Sequence, residues 1–187
     1  MAVRNINHAV LYVSDVARTT EFYTEALGFR VVTSFPGAAF LQAPASTNDH
    51  DLGVFEMGAA ALPSDAGRRT VGLYHLAWEV ETLGDLERLA GVLSERKALV
   101  GATDHGTTKS LYAKDPDGLE FEVVWLIPAH LITEQDLRRK ATTTRLDLAA
   151  EIERFGREEI SGVGISVARP ELDTPPVLET ATKGAHS

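Results

Sequence analysis

Cysteine is absent from the 187 residues. That excludes a disulfide framework and a thiolate zinc site, so any metal must be held by nitrogen and oxygen donors. Basic residues are the minority charge: 18 Lys and Arg stand against 27 Asp and Glu, a formal net charge of −9. This balance argues against nucleic acid or an anionic membrane as the main partner, because either favours a basic face. Long apolar runs are missing as well. Nothing approaches the roughly 20 residues that span a bilayer, and the opening MAVRNINHAVLYVSD lacks a basic start followed by a clean apolar stretch. The expected partner is therefore a small molecule and the expected compartment the cytoplasm. What remains, 44% hydrophobic and 24% charged residues, is the composition of a globular protein. The length suffices for one well-buried domain or for two small modules fused along a shared sheet.

A weak internal repeat organises the chain. NHAVLYVSDVARTTEFYTEALGF near the start has a counterpart in YHLAWEVETLGDLERLAGVLSERKA, and both read strand, then helix. In the first copy Ile6, His8, Val10 and Tyr12 share a face of a period-2 strand. Asp15 or Ser14 caps a helix whose apolar residues are Val16, Phe22, Tyr23, Ala26 and Leu27, and Gly28 ends it. In the second copy Leu73, His75, Ala77 and Glu79 share a face, Thr82 is the cap, and Leu83, Leu86, Leu89, Ala90 and Leu93 form the stripe. The two histidines thus occupy equivalent places. Short strand-like runs follow each helix: RVVTSF, AAFLQA and DLGVFEM, then KALVGA, KSLYAK and LEFEVVWL.

Each copy is therefore βαβββ, with modules at about 4–57 and 71–127 inside a domain covering 1–127. The stretch from Gly58 to Thr70 reads as a linker, and DPDG at 115–118 as a turn. Residues 128–187 read as an appendage. Thr133 followed by Asp136 opens a helix, Leu146, Leu148, Ala149, Ile152 and Phe155 form a second apolar set, and the rest is an extended tail. The expected class is α+β.

The pieces INHAVLYVSD, EFYTEALGF, YHLAWEV and DPDGLEFEV resemble the vicinal oxygen chelate superfamily, which includes glyoxalase I, bleomycin-resistance proteins and the type I extradiol catechol dioxygenases. The resemblance covers roughly 4–127. It implies that the modules curl into a cup-shaped mixed sheet and that His8, His75 and Glu122 are metal ligands. Two imidazoles and one carboxylate on one side of Fe(II) leave adjacent positions open for substrate and dioxygen.

A finer resemblance is to the extradiol enzymes. DHDLGVF places His50 where that group carries its acid–base histidine, and GATDHGTTKSLYAKDPDGLEFEV places His105 and Tyr112 ahead of the glutamate ligand. With 122 − 112 = 10, an even number, Tyr112 and Glu122 can face the same side of a regular hairpin. The implied activity is Fe(II)-dependent extradiol cleavage of a small aromatic diol with O2. His50 would move protons, and His105 and Tyr112 would hydrogen-bond a substrate oxygen. A homodimer is expected from the same resemblance, and neither nucleic acid nor membrane as a partner.

Two alternatives stay open. In a glyoxalase-like lyase or isomerase, Glu56 is a fourth ligand; with 56 − 50 = 6 it shares a strand face with His50. In a metal-free resistance protein, the cup sequesters a ligand. His130 and His186 lie outside the matched region and receive no role.

Overall fold

The computed structural model describes residues 3, 5–66, 69–139 and 142–162. The chain is an α+β protein of two βαβββ modules followed by a helical extension. The first module runs β1 (Ala9–Val13), α1 (Val16–Leu27), β2 (Arg30–Phe35), β3 (Ala38–Gln42) and β4 (Leu52–Glu56). The second runs β5 (His75–Glu79), α2 (Leu83–Glu95), β6 (Leu99–Asp104), β7 (Thr108–Lys114) and β8 (Glu120–Leu126). The extension adds α3 (Glu134–Arg139), β9 (Thr144–Arg145) and α4 (Leu148–Phe155). The expected tail beyond residue 162 lies outside the described residues.

Local chemistry explains the boundaries. The Asp15 carboxylate accepts from the Arg18 amide and starts α1, while Gly28, in the left-handed region at φ 77°, ends it. Thr82 does the same for α2 by accepting from the Asp85 amide. Asp147 caps α4 through the Ala150 amide. Thr133 and Asp136 bond each other's amides reciprocally at the start of α3, the arrangement of a capping box.

Each module carries its own hydrogen-bonded sheet, with orders β1-β4-β3-β2 and β5-β8-β7-β6-β9. In each, the first and last strands of the module run parallel. The single shared sheet of the sequence reading is thus two open sheets side by side. Leu11 and Val13 of β1, and Phe121, Val123 and Trp125 of β8, turn one face of each sheet toward α1 and α2 in a common buried core. The alternate residues, among them Val10, Tyr12, Glu120 and Glu122, lie on the opposite, open face.

The modules are stapled at the DPDG turn. Asp117 accepts from the Ser14 amide at 2.8 Å and from Arg18 at 2.6 Å, and Phe22 stacks edge-on to Phe121. A groove of about 740 Å³ runs between the two sheets, lined by Val10 and Tyr12 of β1, Tyr74 and Leu76 beside and in β5, and Glu120 of β8. Among the described residues no helix is long and apolar enough to cross a membrane.

Candidate functional site

The open face of the second sheet gathers most of the residues singled out in the sequence. The β7–β8 hairpin sets Tyr112 directly opposite Glu122, and the parallel β5–β8 pairing sets His75 opposite Glu120. Period-2 geometry then turns His75, Tyr112, Glu120 and Glu122 to one side. His75 Nε2 lies 3.2 Å from Glu122 Oε2. The Tyr112 hydroxyl donates to Glu122 Oε1 at 3.4 Å, and His105 Nε2 lies 3.0 Å from Tyr112 Oη. With the tyrosine proton directed at the carboxylate, the His105 ring is the donor to Tyr112 Oη. A polar chain His105–Tyr112–Glu122–His75 results.

Burial, followed by the negative charge of Glu122, pushes the Tyr112 phenol up to about 12. It therefore remains a proton donor throughout the neutral range. His105 sits in the turn between β6 and β7, where its amide donates to Thr108 O at 3.0 Å.

The first sheet holds a separate pair. His8, immediately before β1, has its ring centroid 4.5 Å from that of His50, and Phe40 of β3 packs edge-on to His50 at 4.9 Å. His8 Nδ1 lies 2.7 Å from Asn7 Oδ1, and His50 Nδ1 lies 3.1 Å from Asp49 Oδ2.

The residues thus fall into two groups, one per sheet. His75, Glu122, Tyr112 and His105 are assembled; His8 and His50 are assembled; the structure does not join His8 to His75 and Glu122 in one donor set. Among the described residues no group of three or more His, Asp and Glu side chains is arranged to hold a metal ion. Among the described residues no backbone ladder joins the two sheets, so the separation of their open faces rests on side-chain contacts such as those of Asp117 with Ser14 and Arg18.

Two of the expected donors nevertheless fit a metal. An ion with bonds of roughly 2.1 Å to two donors at a right angle holds those donors about 3.0 Å apart. The 3.2 Å between His75 Nε2 and Glu122 Oε2 matches two adjacent corners of one coordination sphere. His75 Nδ1 is buried without a hydrogen-bond partner, which leaves Nε2 as the nitrogen that interacts. The fit extends to these two donors.

Glu56 is placed elsewhere. It ends β4, is exposed, and its Oε2 accepts from the Val16 amide at 3.2 Å, at the first turn of α1. The helix start draws the carboxylate to itself. His50 precedes β4 rather than lying in it, so the even spacing to Glu56 carries no shared face.

Two neighbours escaped the sequence reading. Tyr74 packs its ring 4.8 Å from His75, and the neighbouring Glu120 carboxylate raises the Tyr74 phenol above its ordinary value. Its adjacency to His75 was the available signal for Tyr74, and the even spacing to Glu122 was the signal for Glu120.

The family described as Glyoxalase/Bleomycin resistance protein/Dioxygenase superfamily matches residues 5–123. Biphenyl-2,3-diol 1,2-dioxygenase 3 of Rhodococcus globerulus is 33% identical over 112 residues, 59% of this chain and 57% of that protein. Catechol-2,3-dioxygenase of Bacillus subtilis (strain 168) is 28% identical over 157 residues, 82% of this chain and 53% of that protein. The chain thus spans little more than half the length of these curated relatives. A glyoxylase/bleomycin resistance protein/dioxygenase domain from Frankia sp. EAN1pec shares the fold, with a TM-score of 0.56 and 21% identity over 70% of this chain and 98% of that one. With the paired βαβββ modules and a match across most of both, the chain belongs to the Glyoxalase/Bleomycin resistance protein/Dioxygenase superfamily.

Proposed function

We propose that the protein is an Fe(II)-dependent extradiol dioxygenase that opens the ring of a small catechol with O2. The observation that carries this reading is the chain His105–Tyr112–Glu122–His75 on the open face of the second sheet. His75 and Glu122 are the proposed holders of the ion. His8, at the repeat position equivalent to His75, is the proposed third donor. When bound, iron(II) supplies adjacent coordination positions for a chelating diol and for dioxygen.

The protein's own groups divide the remaining work. Tyr112, kept protonated by its burial and by Glu122, is the proposed donor to a substrate oxygen, its one hydroxyl proton turning from Glu122 to that oxygen once Glu122 holds the ion. His105, bonded to the Tyr112 hydroxyl, is the proposed second donor and fixes the direction of that hydroxyl. His50, stacked between Phe40 and His8, is the proposed proton acceptor for a diol hydroxyl. The groove between the sheets has an apolar wall built by Val10, Leu73 and Leu76, suited to an aromatic ring. It approaches these groups through Tyr74 and Glu120, close in the chain to His75 and Glu122, rather than being lined by them. We further propose a homodimer, since β1 and β5 stand at the ends of their sheets, where a partner's strands can pair.

The glyoxalase-like alternative needs Glu56 at the metal, and the bond from the Val16 amide holds that carboxylate at the start of α1 instead. The deciding experiment loads the protein with Fe(II) anaerobically, adds simple catechols and admits air. A yellow ring-fission product with matching oxygen uptake is the expected result. No colour and no oxygen uptake with any catechol rejects the dioxygenase. Metal analysis of the His8→Ala variant then separates a three-donor site from the two donors already adjacent.

A further inference from the structure

The turn that presents His105 is gripped from behind by a lysine with no solvent exposure, and a helix of the C-terminal extension reaches that lysine. Lys109 of β7 is fully buried. Its Nζ donates to Asp104 Oδ1 at 2.6 Å and to the Gly106 carbonyl at 3.3 Å, and pairs with Glu151 Oε2 of α4 at 3.3 Å. Asp104 and Gly106 are the two residues that flank His105 in the chain. Asp104 Oδ1 also accepts from the Gly106 amide at 2.8 Å, closing the turn on itself. Gly106 takes a left-handed conformation at φ 81°, open to glycine at no steric cost, which lets the chain reverse over so few residues.

A buried ammonium is tolerated only when paired, and a single removed partner leaves an uncompensated charge. Here the pairing extends outward: Arg139 reaches Asp104 at 3.4 Å, and Arg154 joins Asp136 at 2.7 Å. Three cations and three carboxylates balance, and four of these six groups belong to α3 and α4. Those helices lie beyond residue 123, where the superfamily match ends.

We propose that Lys109, clamped by Glu151, is a positioning residue that holds the Asp104–Gly106 turn so that His105 Nε2 meets the Tyr112 hydroxyl; the extension thereby sets the geometry of the site. Lys109 and Tyr112 differ by three positions on β7 and face opposite sides of the sheet. The clamp therefore acts through the turn and never touches a reacting group. The inference rests on the role given to His105 under the proposed function.

Two readouts on the full-length protein test it. Amide hydrogen exchange on the metal-free protein needs no activity. Glu151→Gln is expected to speed exchange at Gly106 and Thr107 at least about tenfold while leaving the β8 amides unchanged. The His105–Tyr112 ring contact, followed by nuclear Overhauser effects, is expected to weaken with it.

Turnover of a catechol supplies the second readout. Glu151→Gln is expected to lower kcat roughly tenfold with KM within about twofold, and to add nothing further in a His105→Ala background. An equal loss in that background, or unchanged exchange at Gly106, makes the network a mere anchor for the extension and overturns the proposal. If catechols are not turned over at all, the dioxygenase reading falls and the exchange experiment still decides this one. Should Glu151→Gln fail to fold, Lys109→Met combined with Glu151→Met replaces the pair with apolar side chains of similar volume, and the same loosening of Gly106 is expected.

Discussion

The two modules share topology and register but place different side chains at the same addresses. In the second module Ala77 of β5 pairs with Glu122 of β8, and Tyr112 of β7 lies across from that glutamate. In the first, Val10 of β1 pairs with Gly53 of β4, and Phe40 of β3 lies across from that glycine. The phenol–carboxylate pair of one sheet is thus a benzyl–hydrogen pair in the other. A Cβ at Gly53 would meet Phe40 Cε1 at 3.3 Å and Val10 Cγ2 at 3.4 Å, so the missing side chain is what lets Phe40 lie flat and reach the His50 ring. The duplicated scaffold thus carries Val10, Phe40 and two histidines outside the strands in one copy, and a polar chain of His105, Tyr112, Glu122 and His75 in the other.

Removing the second module's donors is the sharpest way to break this asymmetry. His75→Ala and Glu122→Ala are each expected to lower bound iron and turnover by more than about 100-fold, because each deletes one of the two donors already 3.2 Å apart. Metal analysis after dialysis checks the first quantity and oxygen uptake the second. Equal iron content in wild type and both variants would place the metal elsewhere.

Tyr112→Phe tests the comparison more finely, since it gives the second sheet the residue that the first sheet carries at Phe40. Turnover is expected to fall by roughly 10- to 100-fold with iron content unchanged, as for the loss of a hydrogen-bond donor that strengthens on approach to the transition state. His105→Ala should produce a similar loss, and the double variant little more, because the two groups act as one hydrogen-bonded unit. Additive losses would show that His105 works independently of the tyrosine.

How much of this was legible depends on the range of the interaction that fixes each residue. Caps at Asp15 and Thr82 and the stop at Gly28 are local chemistry, and the helices begin and end where the sequence indicates. Tyr112 and Glu122 are joined by one hairpin, so parity and the DPDG turn were enough to bring them together. The distance from the His8 and His50 pair to the second sheet is set by contacts between two sheets that share no backbone ladder among the described residues, and no period in the sequence encodes it. Glu56 entered only as the fourth ligand of the glyoxalase-like alternative, and its contact with the Val16 amide at the start of α1 is one that strand parity does not encode. Lys109 lies in KSLYAK, where a lysine reads as solvated; its buried charge is compensated by Asp104 at 2.6 Å and by Glu151 at 3.3 Å, the latter 151 − 109 = 42 residues downstream. The two-residue strand β9 carries no signal of its own, being formed by its pairing with β6.

The weakest expected effect concerns stability and tests the join between the modules. Asp115 opens the DPDG turn and is buried. Its Oδ1 accepts from the Asp117 and Leu119 amides, both at 2.9 Å, while its Oδ2 has no hydrogen-bond partner. Loss of hydration outweighs those two amide bonds and raises the carboxyl to about 6. A folded-state value above the unfolded one means that the native protein binds this proton more tightly. The stability it contributes is complete below about pH 4 and is lost as the pH rises through about 6. Asp136 works in the opposite sense, held below the usual carboxylate range although burial itself pushes it upward, because Arg154 and Thr133 hydrogen-bond its charged form. Its contribution is lost only at pH values below that window. Denaturant unfolding of the wild type is therefore expected to show a loss on the order of 2 kcal/mol between pH 4.5 and 7.5 that Asp115→Asn removes. The asparagine oxygen still accepts both turn amides, so the staple of Asp117 to Ser14 and Arg18 stays in place and only the titration disappears. A pH slope unchanged by the substitution would mean that the turn opens enough to hydrate Asp115, and that the contact between the modules is looser than the buried carboxyl implies.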